Sequence, residues 1–166
     1  MQIGFLKDNE ARVSITPSTL KKFIELDHKV YIEKKAGILS GFSDSDYDKA
    51  KLSSRKELIN NCDIIISVNS SSYDSLNNYK GKILISNFSI DSNKETLKKE
   101  IDKNKITAYD LSMIPRTTIA QSMDILSSMA GLSGYKAIIK AAELLPKIFP
   151  MTITAAGSLK PVRVVV

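Results

Sequence analysis

The sequence predicts a doubly wound α/β fold, a mainly parallel sheet with helices on both faces that leads into a long connecting helix. Three observations carry this. Short, nearly continuous apolar runs recur through residues 1–111, as expected of strands covered on both faces. Helical patterns fall between these runs, and a parallel pair needs such a crossover to bring the chain back along the sheet. Residues 117–145 form one long helical stretch, which Pro146 must end or kink.

Taken in order, the strand candidates are residues 2–6, 30–33, 63–68, 82–88 and 106–111. Between the first two, Thr16 is placed to cap a helix, Pro17 fits its first position, and Leu20, Phe23 and Ile24 share one face. Ser43 and Asp44 open a short polar helix through Tyr47. Asn93 opens another, with Leu97 and Ile101 one turn apart. The resulting sheet has about five strands and is Rossmann-like or flavodoxin-like. Within the long helix, residues 125–135 carry no charge and include Gly131 and Gly134. Glycine inside a helix costs about 1 kcal/mol against alanine, a cost that close packing of another backbone or helix would offset, so this helix is expected to be a buried spine between domains or subunits.

Composition narrows the function classes. The chain has 166 residues, 43% of them hydrophobic and 25% charged, as in an ordinary globular protein. Its 24 Lys and Arg against 18 Asp and Glu are scattered rather than gathered in a stripe with aromatics, which argues against nucleic-acid binding. No apolar run approaches the ~20 residues of a spanning helix, so no direct membrane insertion is expected. One cysteine, Cys62, and one histidine, His28, give no basis for a disulfide or a transition-metal site. Cys62 reads as a buried structural thiol and His28 as a polar turn residue.

Residues 146–161 look like a linker, after which residues 162–166 read as a strand cut short. An apolar strand after a linker is how a nucleotide-binding Rossmann unit begins. The glycines, at positions 4, 37, 41, 81, 131, 134 and 157, never form G-x-G-x-x-G or a P-loop, so these residues contain no dinucleotide phosphate cradle. The expected organisation is an α/β domain at 1–115, a loop and connecting helix at 116–145, and a linker with the first strand of a further domain at 146–166.

The segment 115–125, PRTTIAQSMDI, holds the candidate chemistry. Gln121, Asp124 and Ser128 are spaced to share a helical face, with Arg116 on the entering loop. A glutamine amide can both donate to and accept from a carboxamide, and an Arg116–Asp124 pair could order the loop. The same spacing also suits a plain helix-capping ion pair with a solvated Gln121.

Beyond the residues themselves, the chain resembles the N-terminal domain shared by alanine dehydrogenases and the alpha subunit of proton-translocating NAD(P) transhydrogenases. The likeness runs through MQIGFLKDNEARVSITP at 1–17, AGILSGFSDSDY at 36–47, ILISNF at 83–88, IPRTTIAQSMDILSSMAGLSGYKAI at 114–138 and FPMTITAAGSLKPVRVVV at 149–166. The central segment is similar to the transhydrogenase branch, whose Arg-Gln-Asp loop approaches the nicotinamide of NADH. By position, the resemblance implies Arg116, Gln121 and Asp124 as catalytic residues. Thr117, Thr118, Ser122, Met123 and Ser127 complete the implied cofactor-binding set.

The resemblance further implies NAD(H) as cofactor, with NADP(H) on a partner subunit, and hydride transfer from NADH to NADP⁺ coupled to proton translocation. It implies a homodimer, and association with NADP(H)-binding and membrane-domain subunits that hold a cytoplasmic protein at the membrane. The 166 residues alone are expected to be inactive. The lysine and histidine with which alanine dehydrogenases handle pyruvate are replaced by Asn69 and Ser89, whereas Arg12 matches that branch's carboxylate-binding arginine and reads here as structural. The alternatives are a fragment of an alanine dehydrogenase-like enzyme and a non-catalytic dimerisation or docking domain.

Overall fold

The computed structural model describes residues 1–165, apart from the side chains of residues 90–94. The chain divides into two compact units, Met1–Pro115 and Arg116–Val166. In the first, β1 (Gln2–Phe5), β2 (Lys29–Glu33), β3 (Lys51–Ser53), β4 (Ile64–Asn69), β5 (Ile83–Asn87) and β6 (Thr107–Asp110) form one sheet in the order β3-β2-β1-β4-β5-β6. Every neighbouring pair is parallel. The strand order reverses between β1 and β4, which is the Rossmann order and not the flavodoxin one. The sheet thus has six strands rather than about five, β3 being the addition.

Alternation along the strands supplies both faces. Ile3 and Phe5 of β1, with Val30 and Ile32 of β2, join one core that takes Leu20, Phe23 and Ile24 from α1 (Pro17–Glu25). On the other face, Leu6, Ile65 and Leu84 meet Leu58 and Cys62 from α2 (Arg55–Asn61) and its C-cap. Leu97 and Ile101 from α3 (Ile90–Lys103) also pack there. Thr16 caps α1 as expected, its hydroxyl accepting from Thr19 N at 3.2 Å with Pro17 next in line. Ser43 caps a 3₁₀ turn at Asp44–Tyr47. Backbone helicity in α3 begins at Ile90, so Asn93 does not open that helix, and the Asn93 side chain lies outside the described residues.

The second unit departs further from expectation. Its helix, α4 (Ile125–Leu144), starts eight residues later than the pattern suggested, because Asp124 adopts an extended conformation and caps it. No residue of α4 is buried, and nothing lies within 4 Å of a methyl placed at Gly131 or Gly134. The expected spine, between domains or subunits, is thus not covered from within the described residues of this chain. The supposed linker contains an antiparallel hairpin, β7 (Thr152–Thr154) with β8 (Gly157–Leu159), turning at Gly157 with φ of 130°. Residues 162–165 are not a strand. Val162 N donates to Phe149 O at 3.1 Å, but no ladder follows, and a strand exists only through such a ladder. Val166 lies outside the described residues. No helix among these is long and apolar enough to cross a membrane.

Candidate functional site

Residues 116–128 are built as two consecutive caps. Thr117 holds the first: its carbonyl accepts from Gln121 N at 2.9 Å and its hydroxyl from Ala120 N at 3.4 Å. These bonds tighten the chain into a 3₁₀ turn, Ala120–Met123, in which Ala120 is the buried residue. Arg116, Thr117, Thr118, Ile119, Gln121, Ser122 and Met123 are all exposed. Asp124 holds the second cap. One carboxylate oxygen accepts from Leu126 N at 2.9 Å, the other from Ser127 Oγ at 2.5 Å, and Ser128 Oγ donates to its carbonyl at 3.4 Å. The Ser127 hydroxyl is the main reason that the Asp124 carboxyl is held below its ordinary pKa.

The arrangement changes what each predicted residue can do. Gln121 and Asp124 sit on adjoining turns, and Asp124 N donates to Gln121 O at 3.3 Å. They do not share one helical face with Ser128, since Gln121 precedes the helix. Arg116 forms no ion pair with Asp124 and is the weakest of the influences on its carboxyl, because the carboxylate is already filled by its own helix turn. The Gln121 amide, by contrast, is exposed and holds no hydrogen bond within the protein among the described residues. Thr117 was assigned by sequence only as a neighbour of the cofactor; its capping role was missed, though a threonine three residues before the Ala120 turn is the signal for it.

These residues fit the carboxamide end of a nicotinamide, which needs one donor and one acceptor close together. Phosphates find no such match: the N-terminus of α4 carries the Asp124 carboxylate, those of α1 and α2 are filled by Thr16 and Ser54, and none of these three follows a glycine-rich turn.

Residues 6–133 match the family model "Alanine dehydrogenase/PNT, N-terminal domain". The chain belongs to this family. It is 37% identical to the NAD(P) transhydrogenase subunit alpha of Cereibacter sphaeroides, over 100% of this chain and 33% of that protein. The crystal structure of transhydrogenase from Sinorhizobium meliloti superposes with a TM-score of 0.86 at 29% identity, covering 97% of this chain and 50% of that one. An L-alanine dehydrogenase structure follows at a TM-score of 0.63 and 26% identity, covering 69% and 33%. The chain thus spans about a third of the length of the Cereibacter sphaeroides relative.

In this alanine dehydrogenase/PNT N-terminal domain, the Rossmann switch point between β1 and β4 is filled from within. Asp8, just after β1, accepts from Val68 N at 2.9 Å, Asn69 N at 3.3 Å and Ser72 Oγ at 2.6 Å. Asn69 donates to Glu10, and Glu10 takes a forked pair of 2.7 Å hydrogen bonds from Arg12. Arg55 ties the same strand ends together through Glu33, Lys7 O and Ser72 O. Ser89, with φ of 47°, donates to the Asn87 side chain. An amide and a hydroxyl at positions 69 and 89 supply no group that titrates near neutral pH, and Arg12 is engaged by Glu10.

Proposed function

We propose that the chain is the nicotinamide-facing part of the NAD(H)-binding alpha subunit of a proton-translocating NAD(P) transhydrogenase. The observation that carries this reading is the Gln121 amide, unengaged and exposed on a turn capped at both ends, inside the segment matched by the family. The hydride chemistry belongs to the two nicotinamides, and the chain's part is orientation. Gln121 binds the carboxamide by donating and accepting, with the Ser122 hydroxyl beside it. Thr117 and Thr118 shape the entering loop, and Arg116 sets a positive charge there. Asp124, held by Ser127, positions the turn rather than touching the ring, while Met123 adds apolar wall.

In this reading NADP(H) is carried by a partner subunit, proton movement occurs in membrane-domain partners, and the alpha subunit acts as a homodimer at the cytoplasmic side of the membrane. The 166 residues alone do not turn over. An alanine dehydrogenase-like reading is disfavoured by Asn69 and Ser89, which leave imine chemistry without an acid or base. The test uses the complete alpha subunit with its NADP(H)-binding partner. Gln121→Asn, one methylene shorter, and Arg116→Ala should each slow single-turnover hydride transfer by about 10²-fold, the cost of misplacing reactants by ~1 Å. The Kd for NADH should change far less, being set mainly by phosphate contacts elsewhere. Near wild-type turnover in both variants would overturn the reading.

A further inference from the structure

The chain has five methionines, and four of them, Met1, Met113, Met123 and Met151, are at least 60% exposed, while Met129 is half-buried on α4. A thioether is soft and apolar, and it is open to oxidation wherever a peroxide can reach it. Three of the exposed four lie outside residues 116–128. Met123 ends the 3₁₀ turn Ala120–Met123, two residues after Gln121 and directly before Asp124, the cap of α4. The turn does not need the Met123 side chain: Thr117 and Asp124 supply the capping bonds, and Ala120 is the buried residue. Gln121 and Ser122 are exposed on the same turn, and neither side chain holds a hydrogen bond within the protein among the described residues.

We propose that Met123 is an oxidation-sensitive control point of the nicotinamide site: its conversion to the sulfoxide by hydrogen peroxide slows hydride transfer, and reduction of the sulfoxide restores it. This rests on the function proposed above. In the oxidation, the thioether sulfur attacks one peroxide oxygen and the O–O bond breaks as the S–O bond forms. The proton of the transferred oxygen passes to the departing hydroxide, which leaves as water. Sulfur loses two electrons and the peroxide gains them. A methionine sulfoxide reductase, taking two electrons from a dithiol, removes the oxygen as water. The consequence follows from position. The apolar wall becomes polar and gains a hydrogen-bond acceptor, next in sequence to two free donors, the Ser122 hydroxyl and the Gln121 amide. Gln121 then has a partner other than the carboxamide. Met113 and Met151, each 62% exposed, would take up the same oxygen outside the site. Cys62, the other oxidisable sulfur, is buried.

The test treats the complete alpha subunit with hydrogen peroxide, as wild type and as Met123→Leu, Met113→Leu and Met151→Leu. Oxidised positions are located by peptide mass spectrometry. Hydride transfer is then followed in a single turnover at saturating NADH and NADP(H)-binding component, each protein against its own untreated sample. Wild type oxidised at Met123 should slow by about tenfold or more, as expected of a reactant held out of place. Methionine sulfoxide reductase with a dithiol should return the rate. Met113→Leu and Met151→Leu should lose as much as wild type on treatment, whereas Met123→Leu should change by less than about twofold. An equal loss in Met123→Leu overturns the inference. So does an unchanged rate in wild type oxidised at Met123, or a Met123 that stays reduced at peroxide levels that oxidise Met113 and Met151. A slowed rate accompanied by loss of helical circular dichroism also overturns it, because oxidation would then act by unfolding. Failure of this inference alone leaves untreated Gln121→Asn slow. Failure of the underlying reading leaves untreated Gln121→Asn normal.

Discussion

Asp8 is a residue whose charge works against its surroundings. Its side chain is buried at the end of β1, with one oxygen taking three hydrogen bonds and the other having no partner among the described residues. Burial is the largest influence on the carboxyl and raises its pKa above the ordinary 3.8, while the hydrogen bonds from Ser72, Asn69 and Val68 oppose it. A carboxyl with a raised folded-state pKa binds its proton more tightly folded than unfolded. The stability it contributes is full below about 3.8 and is lost as pH rises through the folded value. Urea midpoints measured across that window should therefore fall with rising pH more steeply in wild type than in Asp8→Asn, which keeps the accepting oxygen but cannot ionise. Parallel curves would show that Asp8 is not the titrating group. Cys62 behaves more simply: it is a buried side chain of the core, and burial pushes its thiol up to about 12, which disfavours the thiolate.

Where α4 begins is decided by a single cap. Asp124→Ala removes the acceptor for Leu126 N and Ser127 Oγ and should unprotect the first turn, read as faster amide exchange at Leu126. Asp124→Asn keeps an oxygen for Leu126 N and, as an equally good N-cap residue, should keep that protection. Equal exchange in wild type and Asp124→Ala would mean that the helix start is fixed by something other than the cap. The late start was hard to read because Gln121, Asp124 and Ser128 have spacings that suit a helix, and a 3₁₀ turn running into a capped helix produces the same ones. Strands β1, β2, β4, β5 and β6 were legible because each is an apolar run with few alternatives. Strand β3, Lys-Leu-Ser, has one apolar residue, and α2 has only Leu58 and Ile59 in seven, so neither rises above its surroundings until β2 and the sheet face give it a partner. At the site, the identities of Arg116, Gln121 and Asp124 came through resemblance. Thr117 as a cap and Ile119 as an exposed residue did not, since both depend on which way the turn folds.

The two units differ in what can hold them together. All six parallel strands, and every residue of both core clusters, lie in Met1–Pro115. Removing Arg116–Val166 would take no side chain from either cluster. The second unit has a 20-residue helix without a buried residue, two glycines within it, and a hairpin of three-residue strands. Helices in proteins take most of their stability from tertiary packing, each internal glycine costs about 1 kcal/mol, and a lone two-stranded hairpin is marginal in water. Residues 1–115 expressed alone should therefore unfold in one cooperative transition with a midpoint close to that of the 166-residue chain. Residues 116–166 alone should melt gradually, with helical circular dichroism falling over a broad range. A broad transition for residues 1–115 would show that the doubly wound sheet depends on the second unit. A sharp one for residues 116–166 would show that α4 and the hairpin are stabilised by contacts within their own unit. The expected pair of results assigns the stability of the chain to the sheet.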